Sequence, residues 1–242
     1  MPYLLQNEIE SIAQRVLRAY CNLPQIQGQT ISRIEPELLA KNLLNLNVEY
    51  HLLSVSGSIL GMTAQNRNRI KVYDNGPKGE LCLLGKKTVF IDRYLHDDPG
   101  QSGRYHFTLM HEASHHILWM LFPARTAEIA ERRVHYCLAH PVFLEDEERY
   151  ANALTSAILM PPQLLLRKMA EQGLGTHIRI LNRIYDPKGY ARFSEIASSL
   201  GVSKTALCIR MKQLGMLEKE YLKDPYALFE IMVDEEDMAY FS

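Results

Sequence analysis

The residues best equipped for chemistry are His111, Glu112 and His115, in the stretch His111-Glu112-Ala113-Ser114-His115. On a helix, side chains four residues apart lie on one face, so both imidazoles can converge on a single ion. Neutral imidazole is a good zinc ligand, and a site with three protein ligands keeps a position for water. Glu112 points to the adjoining part of the same surface, where it can reach that water without becoming a ligand. A bound metal lowers the pKa of the water and polarises a carbonyl oxygen. Glu112 is then the group to take the proton and later pass it to a leaving amine. The bland alternative is a pair of surface histidines on an amphipathic helix. Leu109, Met110, Ala113, Ile117 and Leu118 count against it, because they make the helix largely apolar and its histidines buried. Buried ionisable groups need partners, and an ion supplies them. Zinc is the expected metal. Two histidines and a carboxylate do not select strictly, so another divalent ion such as Mn2+ also suits the set.

The third ligand must come from elsewhere in the chain, since Leu118 and Leu121 stand where H-E-x-x-H-x-x-G-x-x-H requires Gly and His. The downstream stretch Glu148-Arg149-Tyr150-Ala151-Asn152 offers Glu148 and Asn152 on one helical face. Glu148 is favoured as the metal ligand and Asn152 as a hydrogen-bond partner that orients a ligand histidine. The acidic neighbours Glu145, Asp146 and Glu147 are accounted for by the helix dipole, which favours carboxylates in a first turn. His116, one residue past His115, is expected to face away and serve packing or the surface. An oxyanion would need a donor besides the metal. Tyr105, His106, Tyr150, His135, His140 and His177 are all chemically able, and spacing does not choose among them. Cys137 lies between His135 and His140, which raises a thiol-protease reading. No orienting group is evident, and a cysteine that merely packs is the simpler account.

These residues need elements to hold them. Residues 107–121 contain no Pro or Gly and end before Pro123, as a long helix would. A second helix is expected from the acidic cluster at 145–148 to Met160, stopped by Pro161-Pro162. Earlier in the chain, Asn7–Tyr20 has helical spacing of Ile9, Ile12, Ala13, Val16 and Leu17, and a short helix is expected near Pro36. The segments Val48–Val55, Arg69–Tyr73 and Thr88–Asp92 are rich in β-formers and predict a small antiparallel or mixed sheet. Further helices are expected over Gln163–Glu171 and His177–Tyr185. The fold class is therefore α+β, mainly helical.

At 242 residues with 47 % hydrophobic residues, the chain can bury a core unaided. Lys and Arg number 27 against 28 Asp and Glu, which argues against a general nucleic-acid or membrane-surface binder. Cys21, Cys82, Cys137 and Cys208 form no C-x-x-C pair, so free thiols in a reducing compartment are expected. The N-terminus does not read as a secretory signal, and no apolar run is long enough to span a bilayer. A cytoplasmic protein is expected. Residues 193–217 have the pattern of two helices joined at Gly201-Val202, with Ser203 able to cap the second. Lys204, Arg210 and Lys212 are the candidate DNA contacts there. The basic residues are few and Glu218 and Glu220 follow, so packing or docking of a partner protein is the preferred role for this pair.

Taken together and in order, the motifs resemble the ImmA/IrrE family of metallopeptidases, which are gluzincin-like zincins. Phe107-Thr108-Leu109-Met110-His111-Glu112-Ala113-Ser114-His115 resembles its F-T-x-x-H-E-x-x-H. Glu148-Arg149-Tyr150-Ala151-Asn152 resembles E-x-x-A-N/D, and Ile158-Leu159-Met160-Pro161 resembles L-L-M-P. Gly57–Met62, Val89–Asp92, Leu200–Ser203 and Arg210–Gly215 are similar to flanking family segments. The resemblance implies a zincin-like domain over residues 1–186, a helix-turn-helix-like segment over 187–222 and an acidic tail over 223–242. It implies His111, His115 and Glu148 as ligands, Glu112 as catalytic base, and a protein substrate. That substrate would be a partner helix-turn-helix repressor of a mobile element, phage or stress-response locus. Two departures stand out: Ser114 where many members have Gly, and Leu154-Thr155 where Phe-Ala is usual. The competing reading is a DNA-binding regulator or toxin–antitoxin component acting through residues 193–217.

Overall fold

The computed structural model describes residues 4–123, 134–138 and 146–227. The chain is α+β and divides into two compact units, Met1–Pro161 and Pro162–Ser242. No described helix is long and apolar enough to cross a membrane.

The first unit begins with α1 (Gln6–Cys21), whose buried face is Ile9, Ile12, Ala13 and Tyr20. Glu8 accepts from the Leu5 amide at 2.8 Å and so satisfies one free donor of the helix start. The short α2 (Pro36–Leu38) runs into a π-turn at Leu39–Leu43. Five strands follow: β1 (Asn47–His51), β2 (Ile59–Ala64), β3 (Asn68–Val72), β4 (Glu80–Leu84) and β5 (Thr88–Asp92). After α3 (Arg93–Asp97) comes the long α4 (Ser102–Leu121), then β6 (Val134–Leu138) and α5 (Asp146–Leu159). The expected helices at both motifs are present, though Glu145 lies outside the described residues.

The main sheet is mixed, with order β1-β5-β2-β6. β1 and β5 are parallel, whereas β2 is antiparallel to both β5 and β6. β3 and β4 form a separate antiparallel pair. Alternation along β2 divides two environments. Met62 and Ala64 join Leu53, Ile70, Val72, Leu84 and Phe90 in a core beneath the β3–β4 pair. Gly61 and Thr63 face α4 instead. A Cβ on Gly61 would sit 2.8 Å from Thr108 Cγ2 and 2.9 Å from Glu112 Oε1, so only glycine lets the strand approach this closely. Thr63 Oγ1 lies 2.7 Å from His116 Nε2. His116 is therefore a buried packing residue turned from the cluster made by its neighbours, as expected, and burial lowers it to about 3.

β2, β4 and β6 were not among the expected strands. β2 is covered on both faces, so it shows no polar–apolar alternation, and Gly61 weakens its strand signal. β4 shows the opposite difficulty, because its Leu81 and Leu83 are exposed.

In the second unit, α6 (Pro162–Glu171) is followed by β7 (Ile178–Leu181), α7 (Pro187–Leu200), α8 (Lys204–Gln213) and β8 (Leu217–Glu220). The helix expected over His177–Tyr185 is absent. Ile178 and Ile180 favour a strand, and β7 pairs in parallel with β8. The chain then turns on buried Asn182, whose Oδ1 accepts from the Ile184 and Tyr185 amides at 2.8 and 3.1 Å. The α7–α8 turn follows expectation. Gly201 is left-handed at φ 65°, and Ser203 Oγ accepts from the Ala206 amide at 3.1 Å. The acidic tail lies mostly outside the described residues.

Helices α4 and α5 pack on one another, and Leu109, Ala113, Ala151, Leu154 and Ile158 on them are buried. The Ser114 and Thr155 hydroxyls meet across this contact at 2.9 Å, both fully buried. Two departures from the family pattern thus form one pair, each hydroxyl satisfying the other. Ser114→Ala or Thr155→Val alone should cost about 1–3 kcal/mol by stranding a buried hydroxyl. The double variant should fall short of the summed costs by roughly 1 kcal/mol in denaturant unfolding. Strict additivity would show that the pair is not coupled.

Candidate metal centre

The long helix α4 is buried without interruption from Thr108 to Trp119. His111 and His115 stand one turn apart on it, as the spacing required. Their Nε2 atoms are 3.2 Å apart. From α5, Glu148 places Oε2 3.1 Å from His111 Nε2 and Oε1 3.3 Å from His115 Nε2. Three groups from two helices therefore form a triangle, with one Glu148 oxygen against His111 and the other against His115, at closest approaches of 3.1–3.3 Å. A tetrahedral zinc with ligands near 2.0–2.1 Å separates its donors by about 3.3 Å. The spacing of the two imidazole nitrogens matches such an ion, and with Glu148, one oxygen of which lies within 4.8 Å of both, the cluster is a candidate metal-binding site. Ion identity is a separate matter, as oxygen and nitrogen donors in this number also suit other divalent metals.

Polar atoms left over in the site point the same way. Both carboxylate oxygens of Glu112 and the Nδ1 atoms of His111 and His115 are buried and lack hydrogen-bond partners. Such groups are costly in an apolar surrounding. Burial pushes Glu112 up to about 8; Glu148 adds to the rise and His115 opposes it. Burial also lowers His111, against the hydrogen bond to Glu148. At His115 burial works downward too, but Glu147 and Glu148 outweigh it and hold the ring at about 9. Glu148 is drawn far below the usual carboxylate range: its hydrogen bonds to His111, His115 and His135 overcome its desolvation.

Around the triangle lie residues that sequence spacing did not single out as supports. Glu147 Oε1 is 3.5 Å from His115 Nδ1, too long for a good hydrogen bond but close enough to attract it. The same oxygen accepts from Trp119 Nε1 at 2.6 Å, which fixes the carboxylate beside the ring. Glu147 therefore does more than favour a helix start. Its i−1 position relative to Glu148 was the available signal. Asn152 comes near the His111 ring and acts on its charge, although His111 Nδ1 makes no hydrogen bond of ordinary geometry.

Edge strand β6 supplies the third wall. His135 Nδ1 lies 3.1 Å from Glu148 Oε1, and its Nε2 lies 3.6 Å from Glu147 Oε1. His135 does not join the set of mutually close donors formed by His111, His115 and Glu148. Cys137, two residues along the strand, has its sulfur near His111 and Glu112. Burial pushes the Cys137 thiol well up, and Glu112 and Glu148 reinforce that, so it is no thiolate nucleophile.

Two other oxyanion candidates, Tyr105 and Tyr150, are engaged elsewhere. Tyr105 OH donates to Glu37 at 2.5 Å, and Tyr150 OH accepts from the Leu4 amide. His177 belongs to the second unit, and His140 lies outside the described residues. Among the candidate DNA contacts, Arg210 must be corrected. It is fully buried, and a guanidinium inside a core cannot reach a phosphate. Lys212 is 3.4 Å from Glu220, and Lys204 sits over the Tyr190 ring at 5.3 Å.

No family model matches the chain, and no curated protein matches it.

Replacing His111, His115 or Glu148 with Ala should abolish stoichiometric binding of Zn2+ at this centre in calorimetric titration. Glu147→Gln should keep the stoichiometry but weaken affinity by about 10–100-fold, the usual cost of losing a group that orients a ligand. Undiminished binding by the Glu148 variant would remove it from the site.

Proposed function

We propose that this chain is a zinc-dependent endopeptidase, with His111, His115 and Glu148 as metal ligands and Glu112 as general base. The observation that carries the reading is the convergence of three donors beside a buried carboxyl that has no partner. A zinc ion held there would act as a Lewis acid toward a substrate carbonyl and make water a better nucleophile.

The chain's own groups account for the proton movements. Glu112 takes a proton from the attacking water and delivers it to the amide nitrogen as the C–N bond breaks. Its carboxylate is buried beside the three donors with no hydrogen-bond partner among the described residues, so it is free to exchange a proton with a group bound there. Gly61 keeps β2 close over Glu112 and limits where its carboxyl can swing. Glu147 and Trp119 hold the His115 ring, while His135 anchors Glu148. His111, His115 and Glu148 would hold the ion as three protein ligands, a number that leaves a four-coordinate zinc a position for the reacting atoms.

The motif order that resembles the ImmA/IrrE family extends the reading to the substrate, a partner helix-turn-helix repressor. Cleavage of that repressor would switch on the genes it silences. The rival DNA-reading role for residues 193–217 is weakened by the burial of Arg210 and the ion pair of Lys212.

The test is incubation of the purified chain with the repressor encoded beside its gene, followed by mass spectrometry of the fragments. Cleavage should stop with a chelator and return with Zn2+. Glu112→Gln should lose about 10²–10⁴-fold in kcat/KM while binding the metal as before. Equal cleavage by that variant would rule out the role given to Glu112.

A further inference from the structure

A second group of donor side chains lies on the other face of the main sheet. Glu49 and His51 are two apart on β1 and so share a face. That face is the one beneath the β3–β4 pair, because the His51 ring packs on Phe90 with centroids 4.5 Å apart. Cys82, from β4, reaches the same point. His51 Nε2 is 3.3 Å from Glu49 Oε2 and 4.0 Å from Cys82 Sγ. One donor atom from each residue lies within 4.8 Å of the other two.

Three features make this more than a chance meeting. First, the His51 ring is oriented from behind. Its Nδ1 lies 2.6 Å from Asp74 Oδ2, while Asp74 Oδ1 accepts from the Leu52 amide at 2.7 Å and pairs with Arg93 at 3.1 Å. A carboxylate on one ring nitrogen leaves the other with its lone pair directed forward, the arrangement found at metal-ligating histidines. Second, the donors are a nitrogen, an oxygen and a sulfur, a set that zinc takes readily. With bonds of about 2.0–2.3 Å, a tetrahedral ion spaces such donors by roughly 3.3–3.6 Å. The observed 3.3 and 4.0 Å are near that spacing, and the Glu49 oxygen and Cys82 sulfur lie within 4.8 Å of one another. Third, the charge balance asks for a cation. Glu49, Asp74 and Glu80 surround the sulfur with negative charge, while Arg93 is on Asp74. That field makes Cys82 a poor free nucleophile and a good ligand for a divalent ion.

We infer that Glu49, His51 and Cys82 form a second metal-binding site for a zinc-type divalent ion, with Asp74 positioning His51. Cys82 binds as the thiolate and its proton passes to solvent. All three donors are partly exposed, so water can complete the coordination. The ion would fasten β4 to β1 across the sheet face and add stability in proportion to its occupancy. The site is separate from the His111–His115–Glu148 centre and does not depend on a proteolytic role for it.

Cobalt distinguishes the two sites. The His111–His115–Glu148 set has no sulfur, so a thiolate-to-Co2+ charge-transfer band reports the Cys82 site. Full-length protein titrated with two equivalents of Co2+ should show this band. The band should persist when His111 and His115 are both changed to Ala, and in Cys137→Ser. It should vanish in Cys82→Ser and in His51→Ala, and Asp74→Asn should weaken the affinity behind it by about 10–100-fold. The absence of a sulfur band in the unaltered protein would overturn the inference without any variant needing to fold. A band that survives Cys82→Ser would overturn it as well.

Discussion

Glu112 and His115 are fully out of water in the middle of an apolar helix, and the surrounding structure is arranged around the cost of keeping them there. Ionisable groups so placed must be paired, neutralised or bound to an ion. The chain meets that demand by directing α5 so that Glu148 reaches both imidazoles. It adds Glu147 and His135 around the rim and leaves Glu112 deliberately unmatched. A purely structural cluster would have satisfied the Glu112 oxygens too. Their isolation beside three convergent donors is the feature that structural packing alone does not explain.

The sheet separates this chemistry from the rest of the unit. Side chains alternate across a strand, so each strand can serve two unrelated environments. β2 turns Gly61 and Thr63 to helix α4 and Met62 and Ala64 to the core under β3–β4. β6 turns His135 and Cys137 to the candidate metal centre, whereas Val134 packs on the opposite core. The closest approach occurs at Gly61, where a methyl group would strike Thr108 and Glu112. That contact explains a glycine inside a central strand, a position where glycine otherwise weakens the sheet.

Much of the centre was legible because helical geometry is periodic. His111 and His115 share a helix face as their spacing led, Glu148 reaches them from the second helix, and the α+β class with an antiparallel or mixed sheet followed from segment composition. Less legible was whatever depends on partners distant in sequence. Glu147 resembled any acidic residue in a first turn until Trp119 and His115 came against it. His135 was one of six possible donors until β6 paired with β2. The stretch His177–Tyr185 has apolar spacing compatible with a helix, but pairing with β8 across the chain decided for a strand. Ser114 and Thr155 looked like independent departures, and only the helix contact revealed them as a pair.

The same distinction bears on the α7–α8 pair. Its turn chemistry, Gly201 followed by Ser203, was readable locally and says only that two helices meet there. Whether such a pair reads DNA depends on which side chains the second helix leaves in solvent. On α8 the charge nearest the middle, Arg210, goes into the core with Leu207, Cys208 and Met211, and Lys212 turns toward Glu220 of β8. Exposed Ile209 adds an apolar surface where a phosphate contact would be needed. Two of the helix's three cations are thus engaged within its own unit, and Lys204 sits over the Tyr190 ring. Of the three candidate contacts, only Lys204 and Lys212 remain at the surface, and Arg210 belongs to the packing of its helix.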